Sequence, residues 1–248
     1  MGIGMKQFAA RGLAEGLAGL ALLLMAGCGQ SDTGDAARQS NAPATAEGGS
    51  SSGDSVLGKK QEVTQLPDMT LGDPNAPIKI IEYASMTCPH CAHFDATVFP
   101  ELKKNYIDTG KVYYTFREFP LDGIALRASM VARCVGPDHF FGFIHGLFHT
   151  QYTWANPDLW NNDKKTVEEK LTPLATIAKE QAGMDRADFD KCIQDQKLQE
   201  QVTMQAKRGV DDFKVNGTPS IYINGEQFKE VGSYEALDSR LKEVLGGK

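Results

Sequence analysis

No cluster of lysine and arginine stands anywhere in the 248 residues, and the net charge is −6, which argues against a nucleic-acid-binding protein. Long hydrophobic runs are missing as well. The apolar stretch Leu17–Met25 is too short to span a bilayer comfortably. Cysteine is scarce, five residues in all, and one Cys-x-x-Cys, at Cys88 and Cys91, has no second such pair and no histidine pair beside it. A structural zinc site wants four ligands, so the cysteines point away from one, and no metal or separate cofactor is expected. With those classes set aside, 41% hydrophobic and 23% charged residues describe a soluble globular protein of one or two domains.

Lys6 and Arg11 precede the apolar stretch, the order of a signal peptide. Met25-Ala26-Gly27-Cys28 follows and resembles a bacterial lipobox, in which the cysteine is lipidated and becomes the first residue. Residues 1–28 are therefore read as a signal peptide ending at Cys28. The alternative is ordinary cleavage between Ala26 and Gly29, leaving a free periplasmic protein. Lipidation of Cys28 leaves an even set: Cys88, Cys91, Cys134 and Cys192. Residues 29–64 are Ser, Gly, Ala, Asp, Asn and Gln with hardly any large apolar side chain before Val56, so this stretch is expected to be disordered. As a flexible coil it reaches about 30–35 Å, which suits a tether to a membrane.

Gly72, Pro74 and Pro77 mark a turn at the start of the globular part. Ile78–Ala84 reads as a buried strand, and a helix is predicted from the Cys-Pro-His-Cys motif, with Phe94, Val98, Leu102 and Tyr106 on one face and a kink at Pro100. Val112–Phe119 is a second strand, completing a βαβ unit over residues 65–120. Residues 121–210 turn helical, over Leu126–Val135, Phe140–Thr150, Val167–Gln181 and Asp188–Gln205. Strand chemistry returns in 211–248, where Asn224-Gly225 predicts a hairpin of Ser220–Ile223 with Gln227–Val231. A last helix starts at Ser233 and shows Leu237, Leu241 and Leu245 on one face. The class is α/β, assembled from both flanks of a helical insertion.

A Cys-x-x-Cys pair opening a helix exposes its first sulfur and tucks in the second. Free backbone N–H groups and the helix dipole favour a thiolate at the first. Cys88 is accordingly read as attacking and leaving sulfur, Cys91 as resolving thiol, His90 as a tuning ring and Pro89 as the residue that holds the turn. Zinc held by Cys88 and Cys91 with His90 or His93 is the competing reading. His93, His139, His145 and His149 are otherwise read as surface or packing residues, and Trp154 and Trp160 as packing in a loop with Asn156 and Pro157.

The segments Leu71–Pro77, Glu82–Cys91, Phe116–Pro120 and Gly217-Thr218-Pro219 resemble those of DsbA-family thiol-disulfide oxidoreductases, specifically the alphaproteobacterial DsbA-like type, over about Met69–Val244. The resemblance implies a thioredoxin-like fold interrupted by a helical insertion domain. The 128 positions from Cys91 to Pro219 leave room for one. It also implies a cis-proline at Pro219, strand-like bonding of substrate to the Thr218 backbone, and an assisting buried acid at Glu82. Some relatives carry a second, non-catalytic disulfide in the helical domain, which here implies Cys134–Cys192. The implied function is donation of disulfides to exported proteins. Partners would be reduced exported substrates and a DsbB-like membrane redox protein, with no nucleic acid and a monomeric state. A lipid anchor would hold the enzyme to a membrane in the bacterial periplasm. A disulfide reductase or isomerase, and a tethered thiol-dependent metal chaperone, are the alternatives.

Overall fold

Ile78–Ala84 and Val112–Glu118, rich in Ile, Val and Tyr, form the parallel centre of a five-stranded sheet in a computed structural model that describes residues 64–246. The expected signal peptide, Cys28 and the tether through residue 63 lie outside the described residues. Numbered along the chain, the strands are β1 (Met69–Leu71), β2 (Ile78–Ala84), β3 (Val112–Glu118), β4 (Ser220–Ile223) and β5 (Glu226–Phe228). They lie in the order β1-β3-β2-β4-β5, and every neighbouring pair except β2–β3 is antiparallel.

A parallel pair needs a crossover. It is made by α1 (Pro89–Thr97), α2 (Phe99–Leu102) and a π-helical turn at Lys103–Ile107. Phe94, Val98, Leu102 and Tyr106 are all buried along it, the face that their four-residue spacing predicts. The kink comes at Val98 rather than at Pro100. A proline ring clashes with the carbonyl four residues back, so the helix breaks upstream of the proline itself.

The turn read from Gly72 and the prolines is preceded by β1, a three-residue edge strand on β3 that is too short to show an alternating pattern. Asn224 and Gly225 both take positive φ, 49° and 89°, as a two-residue hairpin turn needs. The strand after the turn is Glu226–Phe228, shorter and one residue earlier than the sequence suggests, because Ile223 pairs directly with Glu226. Ser233 caps the final helix, α10 (Tyr234–Gly246), by accepting from Ala236 N at 3.2 Å.

Between β3 and β4 lie seven helices: α3 (Gly123–Cys134), α4 (Pro137–His149), α5 (Gln151–Trp154), α6 (Pro157–Trp160), α7 (Val167–Ala182), α8 (Arg186–Ile193) and α9 (Gln196–Phe213). Asp195 splits the long helix expected over 188–205, since its carboxylate accepts from Leu198 N at 3.0 Å and starts a new helix. Trp154 belongs to a short helix rather than a loop and is fully buried. α9 continues through residue 210 to Phe213, so the helical segment outlasts the expected seam by three residues. It can approach the sheet because residue 209 is glycine: a Cβ there would stand 2.8 Å from the Tyr83 ring.

One apolar core runs from the sheet into the insertion, with Phe116 of β3 against Phe140 of α4 at 5.7 Å between ring centres. Polar contacts lock the same seam. The buried Glu118 carboxylate takes a bidentate pair of bonds from Arg133 of α3, and its backbone N–H donates to Gln205 of α9 at 3.1 Å. Breaking a buried ion pair of this kind from one side costs about 3–5 kcal/mol. The insertion and the sheet are thus one cooperative body.

Candidate active site

Residues 85–88 leave β2 and deliver Cys88 to the N-cap of α1. Its backbone is extended, and Pro89 fills the first turn, where a missing N–H costs nothing. Cys88 and Cys91 are both free thiols. Cys88, expected to be exposed, is itself buried at 6% because the Thr218–Pro219 segment packs on it, and Cys91 is fully buried, while Pro89 and His90 face solvent.

The two sulfurs differ in acidity. Cys88 is lowered from 9.0 to about 5, first by a hydrogen bond from the Cys91 thiol and then, against the cost of burial, by the Thr218 side chain and the backbone N–H groups of Cys91 and His90. Cys91 is pushed well above 9.0, chiefly by burial, then by that same bond and the nearby Glu82. Cys88 is therefore mainly a thiolate at pH 7. His90 acts on the sulfur through its backbone N–H; no hydrogen bond joins its ring to Cys88, unlike the ring contact that the sequence suggests.

Residues distant in sequence close the site. The Thr218–Pro219 peptide is cis, and the Thr218 carbonyl accepts from Cys88 Sγ at 3.2 Å. The Thr218 hydroxyl is buried with no hydrogen-bond partner, close enough to the sulfur to favour its anion. Beneath Cys91, Glu82 of β2 is 3% exposed. Burial raises its carboxyl to about 8, partly offset by a hydrogen bond from the Tyr114 hydroxyl, with Asp95 and Cys88 adding repulsion. Asp95 pairs in turn with the His145 ring of α4, which also packs on Phe99 at 4.7 Å.

The structure therefore brings Cys88, Pro89, His90, Cys91, Glu82, Thr218 and Pro219 into one place. Cys134 and Cys192 stand apart from it, bonded to each other between α3 and α8. Among the described residues no three His, Cys, Asp or Glu side chains gather as metal ligands would. Sequence reasoning did not find Tyr114, Asp95 or the Gln151 side chain, which donates to the Met86 and Cys88 carbonyls. Tyr114 and Gln151 come from other elements, β3 and α5, while Asp95 lies on α1 itself, four positions after Cys91, and only its charge reaches Glu82.

Comparison with known proteins gives the family. The family model described as thioredoxin matches residues 64–243. The crystal structure of Wolbachia pipientis alpha-DsbA1 superposes with a TM-score of 0.64 and 31% identity, over 73% of this chain and 93% of that one. The chain belongs to the DsbA family of the thioredoxin superfamily. Within that family it is of the alphaproteobacterial type. A Rickettsia bellii protein named "Putative protein-disulfide oxidoreductase" is 37% identical over 160 residues, 64% of this chain and 58% of that protein. Disulfide bond formation protein D of Bacillus subtilis is 28% identical over 187 residues, 72% of this chain and 77% of that protein. The chain spans about three fifths of the length of the Rickettsia relatives it matches. In this chain Cys88 sits in a thioredoxin-like fold with seven inserted helices and a cis bond at Pro219.

Proposed function

We propose that this chain is an exported thiol-disulfide oxidoreductase that donates disulfides to other exported proteins through Cys88 and Cys91. The observation that carries the reading is the unequal acidity of the two sulfurs, about 5 at Cys88 and well above 9.0 at Cys91. A stabilised Cys88 thiolate favours the reduced enzyme, and so makes the oxidised enzyme an oxidant.

In the donating direction the enzyme begins with a Cys88–Cys91 disulfide. A substrate thiolate attacks Cys88 Sγ, the less deeply buried of the two sulfurs, forming a mixed disulfide and expelling Cys91 as a thiolate. Cys91 holds a proton strongly, and Glu82, protonated up to about pH 8, is the acid placed to supply it. A second substrate thiolate then attacks the substrate sulfur, and Cys88 leaves as the thiolate that the helix N-terminus stabilises. Two substrate thiols become one disulfide, and their two electrons reside on the enzyme dithiol. One proton stays on Cys91 after Glu82 is reprotonated from solvent. In the disulfide and the mixed disulfide Cys88 carries no proton, so the Thr218 carbonyl, which accepts from the Cys88 thiol in the reduced protein, is free to accept from a substrate backbone N–H, as in strand addition.

Reoxidation by a membrane redox partner, lipidation at Cys28, a tether over 29–64, a monomeric state and a periplasmic location complete the proposal. Among the described residues no helix is long and apolar enough to cross a membrane. The test is catalysed oxidation of a reduced, unfolded substrate by the oxidised protein, alongside the redox state of Cys88 and Cys91 in cells. Fast oxidation and a mainly oxidised pair support donation. A mainly reduced pair favours a reductase or isomerase, and co-purified metal favours a chaperone. The mass of the mature N-terminus tests Cys28.

A further inference from the structure

The carbonyl oxygens of Met86 and Cys88 both turn toward α5. Gln151 Nε2 donates to them, at 2.9 Å and 3.1 Å. Gln151 is 7% exposed, so its amide has little water to fall back on, and the two hydrogens of the NH2 group match the two acceptors. Its placement depends on residues outside the redox motif. Thr150 ends α4 just before it, and Trp154, fully buried on the same short helix, donates its indole N–H to Leu147 O at 2.9 Å. The opposite side of the loop is held as well. Thr87 donates to Asp122 at 2.6 Å, and Asp122 also caps α3 through Ile124 N and Ala125 N. The insertion thus grips the three residues that end in Cys88 from both sides.

The Cys88 carbonyl makes the first bond of α1 as well, accepting from Ala92 N at 3.2 Å. Its direction sets how the next peptide planes turn, and those planes carry the N–H groups of His90 and Cys91 toward the sulfur. A second donor from Gln151 fixes that carbonyl and draws off part of its negative charge beside the thiolate. The geometry points to Gln151 as a positioning residue for thiol-disulfide exchange, acting from the insertion through the Met86 and Cys88 carbonyls to hold the start of α1 in the orientation that favours the Cys88 anion. This rests on the exchange activity proposed above. The insertion then tunes the redox site as well as covering it.

The test compares the full chain with Gln151→Met and Gln151→Glu, both near in size and neither able to offer two donors. For each, Cys88 is titrated by thiolate absorbance, the equilibrium with glutathione is measured, and thermal unfolding is followed. One lost charge-assisting bond should raise the Cys88 pKa by about one unit. The glutathione equilibrium should move about tenfold away from the reduced enzyme, which is about 30 mV. Lower thermal stability with unchanged titration and equilibrium would make Gln151 a packing residue and overturn the proposal. Should the variants fail to fold, the unaltered protein still decides. The Gln151 side-chain NH2 resonances should shift with pH at the same midpoint as Cys88, and resonances flat through that midpoint reject the assignment. If the unaltered protein neither exchanges disulfides nor titrates Cys88 below the free-thiol range, the functional reading has failed rather than the role of Gln151.

Discussion

Cys88 and Cys91 lie three positions apart at the mouth of one helix, whereas Cys134 and Cys192 lie 58 apart on two helices of the insertion. The first pair is asymmetric. Both sulfurs are buried, but one meets the backbone N–H groups of the helix start and is acidic, and the other lies deeper beside a protonated carboxyl and is not. Neither cysteine of the second pair opens a helix, since Cys134 ends α3 and Cys192 lies late in α8, and the cis-proline stands at Cys88 instead. What it contributes is closure of a long loop in the unfolded chain, tying α3 to α8. The same covalent bond is thus given two uses by its surroundings: a helix start makes a leaving group, and two packed helices make a cross-link.

Exchanging the pairs for inert residues should split activity from stability. Cys88→Ser should abolish disulfide exchange in a substrate-oxidation assay while leaving thermal unfolding of the reduced protein nearly unchanged at about pH 5, where the Cys88 thiolate no longer adds stability. The double change Cys134→Ala with Cys192→Ala should do the reverse. Exchange stays within a few-fold, and denaturant unfolding shows a loss of about 4 kcal/mol. Loss of exchange in the double variant would erase the division between the pairs.

The asymmetry within the first pair can be read from pH. Glu82 has its carboxyl raised in the folded state from 4.5 to about 8, so the folded chain keeps a proton that the unfolded chain releases. Its contribution is full below about 4.5 and is lost as pH rises toward 8. Cys88, lowered from 9.0 to about 5, contributes in the opposite sense to the reduced form: fully above 9.0, and less as pH falls to 5. Urea unfolding should therefore show the reduced protein gaining on the oxidised one as pH rises between those limits. Glu82→Gln should flatten the decline of the oxidised form and slow release of the mixed disulfide. A decline unchanged by Glu82→Gln would show that another group carries it.

The smallest effect is expected at Tyr114, whose hydroxyl donates to Glu82 and holds its carboxyl down. Tyr114→Phe should move the Glu82-dependent pH midpoint upward by less than about one unit, measured in the same unfolding series.

Legibility in the sequence followed distance along the chain. Cys88-Pro89-His90-Cys91 declares itself because the helix start and the order of the two sulfurs along it are local, although the burial of Cys88 under Thr218 is not. Thr218-Pro219 was placed by resemblance, and the hairpin beyond it by Asn224-Gly225. Tyr114 could be put on a strand but not against Glu82, 32 positions away, because alternation gives the face and not the partner across it. His145 was read as packing, and it does pack on Phe99, yet its bond to Asp95 spans 50 positions. Gln151, 63 positions from Cys88, had no pattern to announce it. β1 was too short, and the break between α8 and α9 depended on one aspartate choosing to cap rather than continue a helix.

The unequal acidity of the two active-site sulfurs is tested most directly by titrating the reduced protein and following thiolate absorbance, with Cys88→Ser as the control. The expected midpoint is about 5, absent from the control. A Cys88 midpoint near the ordinary thiol value of 9.0 would contradict a disulfide donor built on a stabilised leaving thiolate.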